Sequence, residues 1–312
     1  MTGKQGRHPI SLEDALGPAA GRFFGAGYRG VTHTLEGGLL QPDAFKGTGK
    51  VEYPRDWSTR ADGSPRTPHL STIDAVLLPL QAIEQAWPGR PGDYVRGIHL
   101  RAGNRPWLEL ADVPVAAHIS QSTSQGGDLR NFSAITGNIK AQICLANAAS
   151  EIELMEESNP FEVSDVYRDL YRSTEGTTML TQIDSETGAL TAFHEFSSRS
   201  ERPGVRPDGL ESCYWPALSV VDYLVTMGQI VQVLIEERLG GDRTNGQLWM
   251  RTMSIHLTSP PEQLPAAITT RTIPIDERVI DRGGQRLRLI ATDSKSSNGV
   301  QVKAQLAHVE EP

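Results

Sequence analysis

The 312-residue chain carries a net charge of −8 and a pI near 5.5, so it has no broad attraction for phosphate backbones or anionic lipid surfaces. Its 38% hydrophobic and 22% charged residues, with 30 Gly and 20 Pro, describe a turn-rich globular protein, and the length suits two units of about 150 residues. Cys144 and Cys213 lie far apart without a CxxC pair, which fits a reducing compartment and makes no metal cluster. The opening "MTGKQGRHPISLEDALG" lacks the apolar core of a signal peptide, and no run approaches the roughly 18 apolar residues that span a bilayer. A cytoplasmic location is expected, with no membrane or nucleic-acid partner.

The glycine-rich "GPAAGRFFGAGYRG" from Gly17 lacks the Lys-Ser/Thr end of a phosphate loop, and no apolar strand precedes it. Arg22, Phe23, Phe24 and Tyr28 are instead expected to pack against the first sheet. "YRGVTHTL" from Tyr28 and "AFKGTGKVEY" from Ala44 read as strands. A polar Pro/Gly-rich loop over Pro54–Pro68 then leads into a helix from Ser71 to Trp87. Its stripe of Ile73, Val76, Leu77, Leu80 and Ile83 predicts an amphipathic helix, kinked at Pro79. "VRGIHL", "DVPVAAHIS" and "NIKAQICLA" follow as strands.

The second half begins with a hairpin from Thr177 turning at "DSETG", followed by a Pro/Gly-rich loop over Ser198–Gly209. The helix from about Leu218 to Leu239 is apolar on nearly all sides and must be wrapped by other structure. "LWMRTMSIHL", "AAITTRTIPI", "QRLRLIATDS" and "GVQVKAQLAHV" complete the chain, with Gly283-Gly284 as a turn.

The halves repeat. "STIDAVLLPLQAIE" from Ser71 and "SVVDYLVTMGQIVQ" from Ser219 each place an Asp three residues after a Ser, and Ile-His-Leu and Lys-Ala-Gln recur later in both halves. Spacing between the copies widens from Ser71/Ser219 through His99/His256 to Lys140/Lys303, as insertions in a duplicated unit would make it. The expected fold is α+β, a double hot-dog: two repeats, residues 1–158 and 159–312, each an antiparallel sheet wrapped around one long central helix.

Between two such repeats the helix N-termini face the substrate, which makes Asp74 and Asp222 candidate catalytic residues, with Ser71 and Ser219 as substrate-binding neighbours. A first-turn Asp also serves simply as a cap, whereas the apolar flanks of Asp222 favour a raised pKa suited to acid/base work. His33 opens "HTLEGGLLQP", which fits the H-x3-G-x4-P pattern of double hot-dog dehydratase domains, in which a His works with an Asp on the second helix. Here, however, nearly thirty residues separate Pro42 from the helix, and "WPALSVVD" carries two extra residues before Asp222. His118 and His194 lie in apolar strands and are candidate pocket residues; His99 and His256 are expected to face outward, and His69 reads as a loop residue. No HExxH, CxxC or carboxylate cluster signals a metal, and no cofactor is implied.

"LGPAAGRFFGAGYRGVTHTL" from Leu16 resembles the beginning of the avirulence D (AvrD) proteins, and the likeness runs to the "KAQLAHV" end. The resemblance implies synthesis of a syringolide-like lactone: a β-ketoacyl thioester, on a carrier protein or coenzyme A, joined to a small sugar such as xylulose. His33 or Asp222 is the expected base, with helix N-terminal amides near Ser71 or Ser219 holding the oxyanion. A dehydratase acting on 3-hydroxyacyl thioesters and a non-catalytic acyl or lactone binder are the alternatives, and a homodimer is compatible with either.

Overall fold

Both halves lay down two strands, one long helix and four more strands. A computed structural model describes residues 9–60, 63–120, 129–148, 162–184, 186–199, 205–239, 246–282 and 285–310. A short strand and helix, β1 (Ile10–Ser11) and α1 (Leu12–Leu16), lead into β2 (Thr32–Gln41), β3 (Ala44–Glu52), α2 (Asp74–Ala86), β4 (Asp93–Arg101), β5 (Val113–Ser120), β6 (Leu129–Thr136) and β7 (Ile139–Asn147). After β8 (Glu162–Asp165) the pattern recurs as β9 (Thr174–Ile183), β10 (Leu190–Ser198), β11 (Val205–Asp208), α3 (Val220–Leu239), β12 (Gly246–His256), β13 (Ala266–Arg282), β14 (Gln285–Ser296) and β15 (Gln301–Glu310). The expected boundary at 158/159 and the Gly283-Gly284 turn lie outside the described residues.

One 13-stranded antiparallel sheet contains all of these strands except β8 and β11, which form a small parallel pair. From the seam where β4 pairs with β12, the order runs outward as β4-β7-β6-β5-β3-β2 on one side and β12-β15-β14-β13-β10-β9 on the other. The topology is therefore duplicated. At the seam the extra residue of a β-bulge falls at Arg96 in β4 and at Arg251 in β12, and each bulge carbonyl accepts a bond from the opposite half, from Leu257 and Ala102 respectively. Measured from these bulges, His99 lies three residues on and His256 five, so the Ile-His-Leu matches are two residues out of structural step. Both histidines are exposed, as expected.

Every residue of α2 from Asp74 to Ile83 is buried, which corrects the expected one-sided stripe. The cause is the sheet, since α2 meets β2, β3, β5, β6 and β7. The helix runs unbroken through Pro79. α3 is similarly enclosed by β10, β13 and β15, with α1 against it. No described helix is long and apolar enough to cross a membrane.

A second repeat, too short to notice in sequence, ties the halves together. Tyr28-Arg29 and Tyr171-Arg172 occupy matching 3-10 turns ahead of β2 and β9. Arg29 donates to the carbonyls of Arg172 (3.2 Å) and Thr174 (2.7 Å), while Arg172 donates to that of Val31 (2.8 Å). Each arginine also lies over the ring of its neighbouring tyrosine, at 4.9 and 5.0 Å. Replacing Arg29 with Ala leaves these part-buried carbonyls without their donor; a loss of about 2 to 3 kcal/mol is expected in urea unfolding, and an unchanged midpoint would contradict this linkage.

Candidate active site

Both long helices begin with the same capping box. At α2 the Ser71 amide donates to Asp74 Oδ2 (2.6 Å) and the Asp74 amide to Ser71 Oγ (3.2 Å). At α3 the Ser219 amide donates to Asp222 Oδ2 (2.7 Å) and the Asp222 amide to Ser219 Oγ (3.4 Å). The repeated Asp is thus a cap in both halves, and what surrounds it differs.

Around Asp74 a buried polar network forms. His33 Nε2 lies 2.7 Å from Asp74 Oδ1, both side chains being only 1% exposed, and the Tyr53 hydroxyl donates to Asp74 Oδ2. Asp74 accepts from His33 Nε2, and the buried Nδ1 of His33 meets no partner among the described residues. Burial and the Asp74 charge hold the Tyr53 hydroxyl well above its ordinary pKa. That hydroxyl also lies 3.0 Å from the carbonyl of His69.

The place of His33 is taken differently in the second half. Counted from the matching Tyr-Arg turns, its counterpart is Gly176, where a Cβ would sit 2.8 Å from the ring of Phe196. Phe196 pairs across from Gly176 in the way Val51 pairs across from His33. A large–small exchange has therefore removed the imidazole from this half. Burial pushes the Asp222 pKa up to about 6, against the lowering effects of Ser219, Arg29 and Thr174.

A cavity of about 400 Å³ opens at the N-terminus of α2. Ser71 and Thr72 line it with His69, Trp57 and the chain-start residues Phe23 and Phe24. The loop before the helix is held to the chain start by close contact: a Cβ on Gly27 would fall 1.8 Å from the Trp57 carbonyl, and the rings of Phe23, Tyr53 and Trp57 pack edge to face or tilted. A smaller cavity, about 100 Å³, adjoins it, sharing Phe24, Thr72, Leu248 and Met250. Leu224, Met227, Val231 and Leu306 make it apolar, and Phe24 rests on Gly228 at the junction.

Of the expected site residues, only Ser71 reaches these walls. His33 and Asp74 meet one another beneath the cavity, and among the described residues no hydrogen bond or ion pair joins His33 to Asp222. Ser219 is buried at the α3 cap. His118 is exposed on β5 and lines neither cavity, because its strand parity turns it to the outer face. His194 is a satisfied core residue between Thr178 Oγ1 and Thr270 Oγ1, 2.8 Å from each, with burial lowering its pKa to about 4. Among the described residues no group of three or more His, Cys, Asp or Glu is placed to hold a metal.

The sequence reading passed over Thr72, Tyr53, Trp57 and the cavity face of His69. Among the described lining residues, His69 is the one histidine. Thr72 matters through its backbone: neither its amide nor that of Ile73 meets an acceptor among the described residues. At α3 the counterpart residue, Val220, is buried with the Tyr167 hydroxyl near its amide, and it lines neither cavity. One helix N-terminus is filled by the protein itself, and the other opens on a cavity.

The family model for the Pseudomonas avirulence D protein (AvrD) matches residues 8–310. The chain belongs to the AvrD family. No curated protein sequence matches it. Among solved structures, the acyl-CoA thioesterase II TesB2 from Mycobacterium marinum is similar at TM-score 0.46 and 10% identity, over 89% of this chain and 95% of that one. The 12:0-ACP thioesterase from Umbellularia californica gives 0.43 and 10%, over 84% and 93%. The dehydratase domain from the CurJ module of curacin polyketide synthase gives 0.38 and 11%, over 89% and 97%. At TM-scores this low, these likenesses carry no argument about what an AvrD-family chain does.

Asp222 offers a test of the electrostatics. Its folded pKa is raised, so its contribution to stability is fully present below the unfolded value of about 4 and is lost as pH rises through about 6. Asp222→Asn is expected to remove up to about 3 kcal/mol of pH-dependent destabilisation across this window; denaturation midpoints that shift equally with pH in both proteins would contradict it.

Proposed function

We propose that this AvrD-family chain is a double hot-dog enzyme that condenses a β-ketoacyl thioester with a sugar-derived hydroxy ketone. The observation that carries the reading is the N-terminus of α2, where Thr72, whose amide meets no acceptor among the described residues, lines both the larger cavity and the apolar pocket beside α3. Such a site holds a thioester carbonyl at this amide and its acyl chain in the pocket.

In this reading the hydroxyl oxygen of the sugar attacks the thioester carbon, and its proton passes to His69. His69 Nδ1 faces the Thr67 carbonyl at 3.4 Å, which leaves Nε2 as the basic nitrogen. The Thr72 amide receives the oxyanion. Collapse then breaks the C–S bond, and the departing thiolate takes the proton back. The product is a β-ketoacyl ester and a free thiol; attack of the carbon between the two carbonyls on the sugar ketone, with loss of water, closes the ring. His33, Asp74 and Tyr53 act as positioning residues that hold the helix N-terminus and the backbone of His69. This replaces the earlier expectation of His33 or Asp222 as base, because neither touches the cavity. A dehydratase built on His33 and Asp222 is not favoured, since His33 is paired with Asp74 instead.

Mass spectrometry of protein incubated with a β-ketooctanoyl thioester and xylulose is expected to detect the condensation product. Thr72→Pro removes one amide at a helix position that accepts proline and should lower turnover roughly 100-fold or more; His69→Ala should lower it by about 100-fold. Asp222→Asn should stay within about tenfold of the wild type, since Asp222 supplies no proton in this scheme. Thioester recovered bound and unreacted would favour a binding protein, and full activity of Thr72→Pro would overturn the site.

A further inference from the structure

Four arginines, Arg22, Arg60, Arg66 and Arg105, line the larger cavity, and no described Asp or Glu does. The whole chain has 38 acidic against 30 basic side chains, so this wall opposes the overall charge. The arginines come from three separate segments: the chain start, the loop before α2, and the loop after β4. Their backbones are fixed around the opening. Trp57 Nε1 donates to the Arg66 carbonyl (3.2 Å), Asn138 Nδ2 to the Arg105 carbonyl (2.8 Å), and the Arg60 amide to Ser64 (2.8 Å). Arg22 is anchored by Gln229 Oε1 (2.9 Å) and the Pro18 carbonyl (3.0 Å). Arg60 and Arg105 are exposed, and among the described residues neither has a carboxylate partner.

Arg60 and Arg105 bring positive charge to the cavity that no described carboxylate offsets, and an anion that accepts from them neutralises it. Guanidinium forks match phosphate oxygens in geometry and charge. The adjoining pocket is apolar, so the wall and the pocket select opposite ends of a ligand, with the Thr72 amide between them.

We propose that the arginine wall is a phosphate-binding subsite for the reactants of the condensation, and the proposal rests on that reading. Two reactants are able to carry the phosphate: the thioester donor, through phosphopantetheine or coenzyme A, and the acceptor, as a phosphorylated sugar.

Isothermal titration calorimetry on the full chain separates these sources, using coenzyme A against pantetheine and xylulose 5-phosphate against xylulose. The charged member of at least one pair is expected to bind at least about tenfold tighter than its neutral partner, with the advantage shrinking at high salt. Arg60→Gln/Arg105→Gln should remove most of that advantage while leaving the neutral ligand unchanged. The pair that responds names the reactant bearing the phosphate. Equal binding within both pairs, an advantage that survives the double substitution, or no binding of any probe would overturn the proposal. Because binding is read without turnover, His69→Ala should keep the phosphate preference; that preference in a wild type that makes no condensation product would sustain the anion site and reject the condensing reaction.

Discussion

A helix buried on every face has its first-turn amides buried as well, and the protein must satisfy them from within or present them to a ligand. That constraint governs both halves of this molecule. One continuous sheet encloses α2 and α3, so the α3 N-terminus is shut off from bulk water and that of α2 meets it only through the cavity. Ser71/Asp74 and Ser219/Asp222 each answer part of the demand with a capping box. The remaining amides differ in setting: Val220 is buried at α3 with Tyr167 nearby, while Thr72 lines the cavity at α2.

The two copies have diverged around a shared frame. The frame is the seam of β4 and β12 with its paired bulges, together with the crossed arginines Arg29 and Arg172. Crossing also brings the 3-10 turn of each half within electrostatic reach of the other half's helix, Tyr28 and Arg29 with Asp222 and Tyr171 with Asp74. Within that frame, His33 opposite Val51 became Gly176 opposite Phe196. The duplicated scaffold thus has one polar helix terminus beside a cavity and the other within the core.

Much of the fold was legible because burial writes periodicity into sequence: alternating strands, two hydrophobic helices, and a Ser-x-x-Asp at the start of each. The exact equivalences were less so, because the bulges at Arg96 and Arg251 that mark matching positions leave no compositional trace, and only against them do the Ile-His-Leu tripeptides stand two residues out of step. The site was harder still. His33 and Asp74 were both singled out, but their pairing depends on β2 crossing the start of α2. His69, Trp57 and the four arginines sit in loops and meet only through tertiary approach of segments far apart in the chain. The Pro/Gly-rich composition at Pro54–Pro68 marked a loop before the helix without marking the residues that line the cavity. His118 and His194 were equivalent in sequence context, and only strand parity and the threonines around His194 told them apart.

The most direct test of this account is a crystal structure with a non-hydrolysable β-ketooctanoyl pantetheine amide. The account predicts the carbonyl oxygen within hydrogen-bonding distance of the Thr72 amide, the acyl chain beside Met227 and Val231, and His69 next to the reacting carbon. An acyl chain lodged elsewhere, or a carbonyl held at the α3 terminus near Ser219, would contradict it.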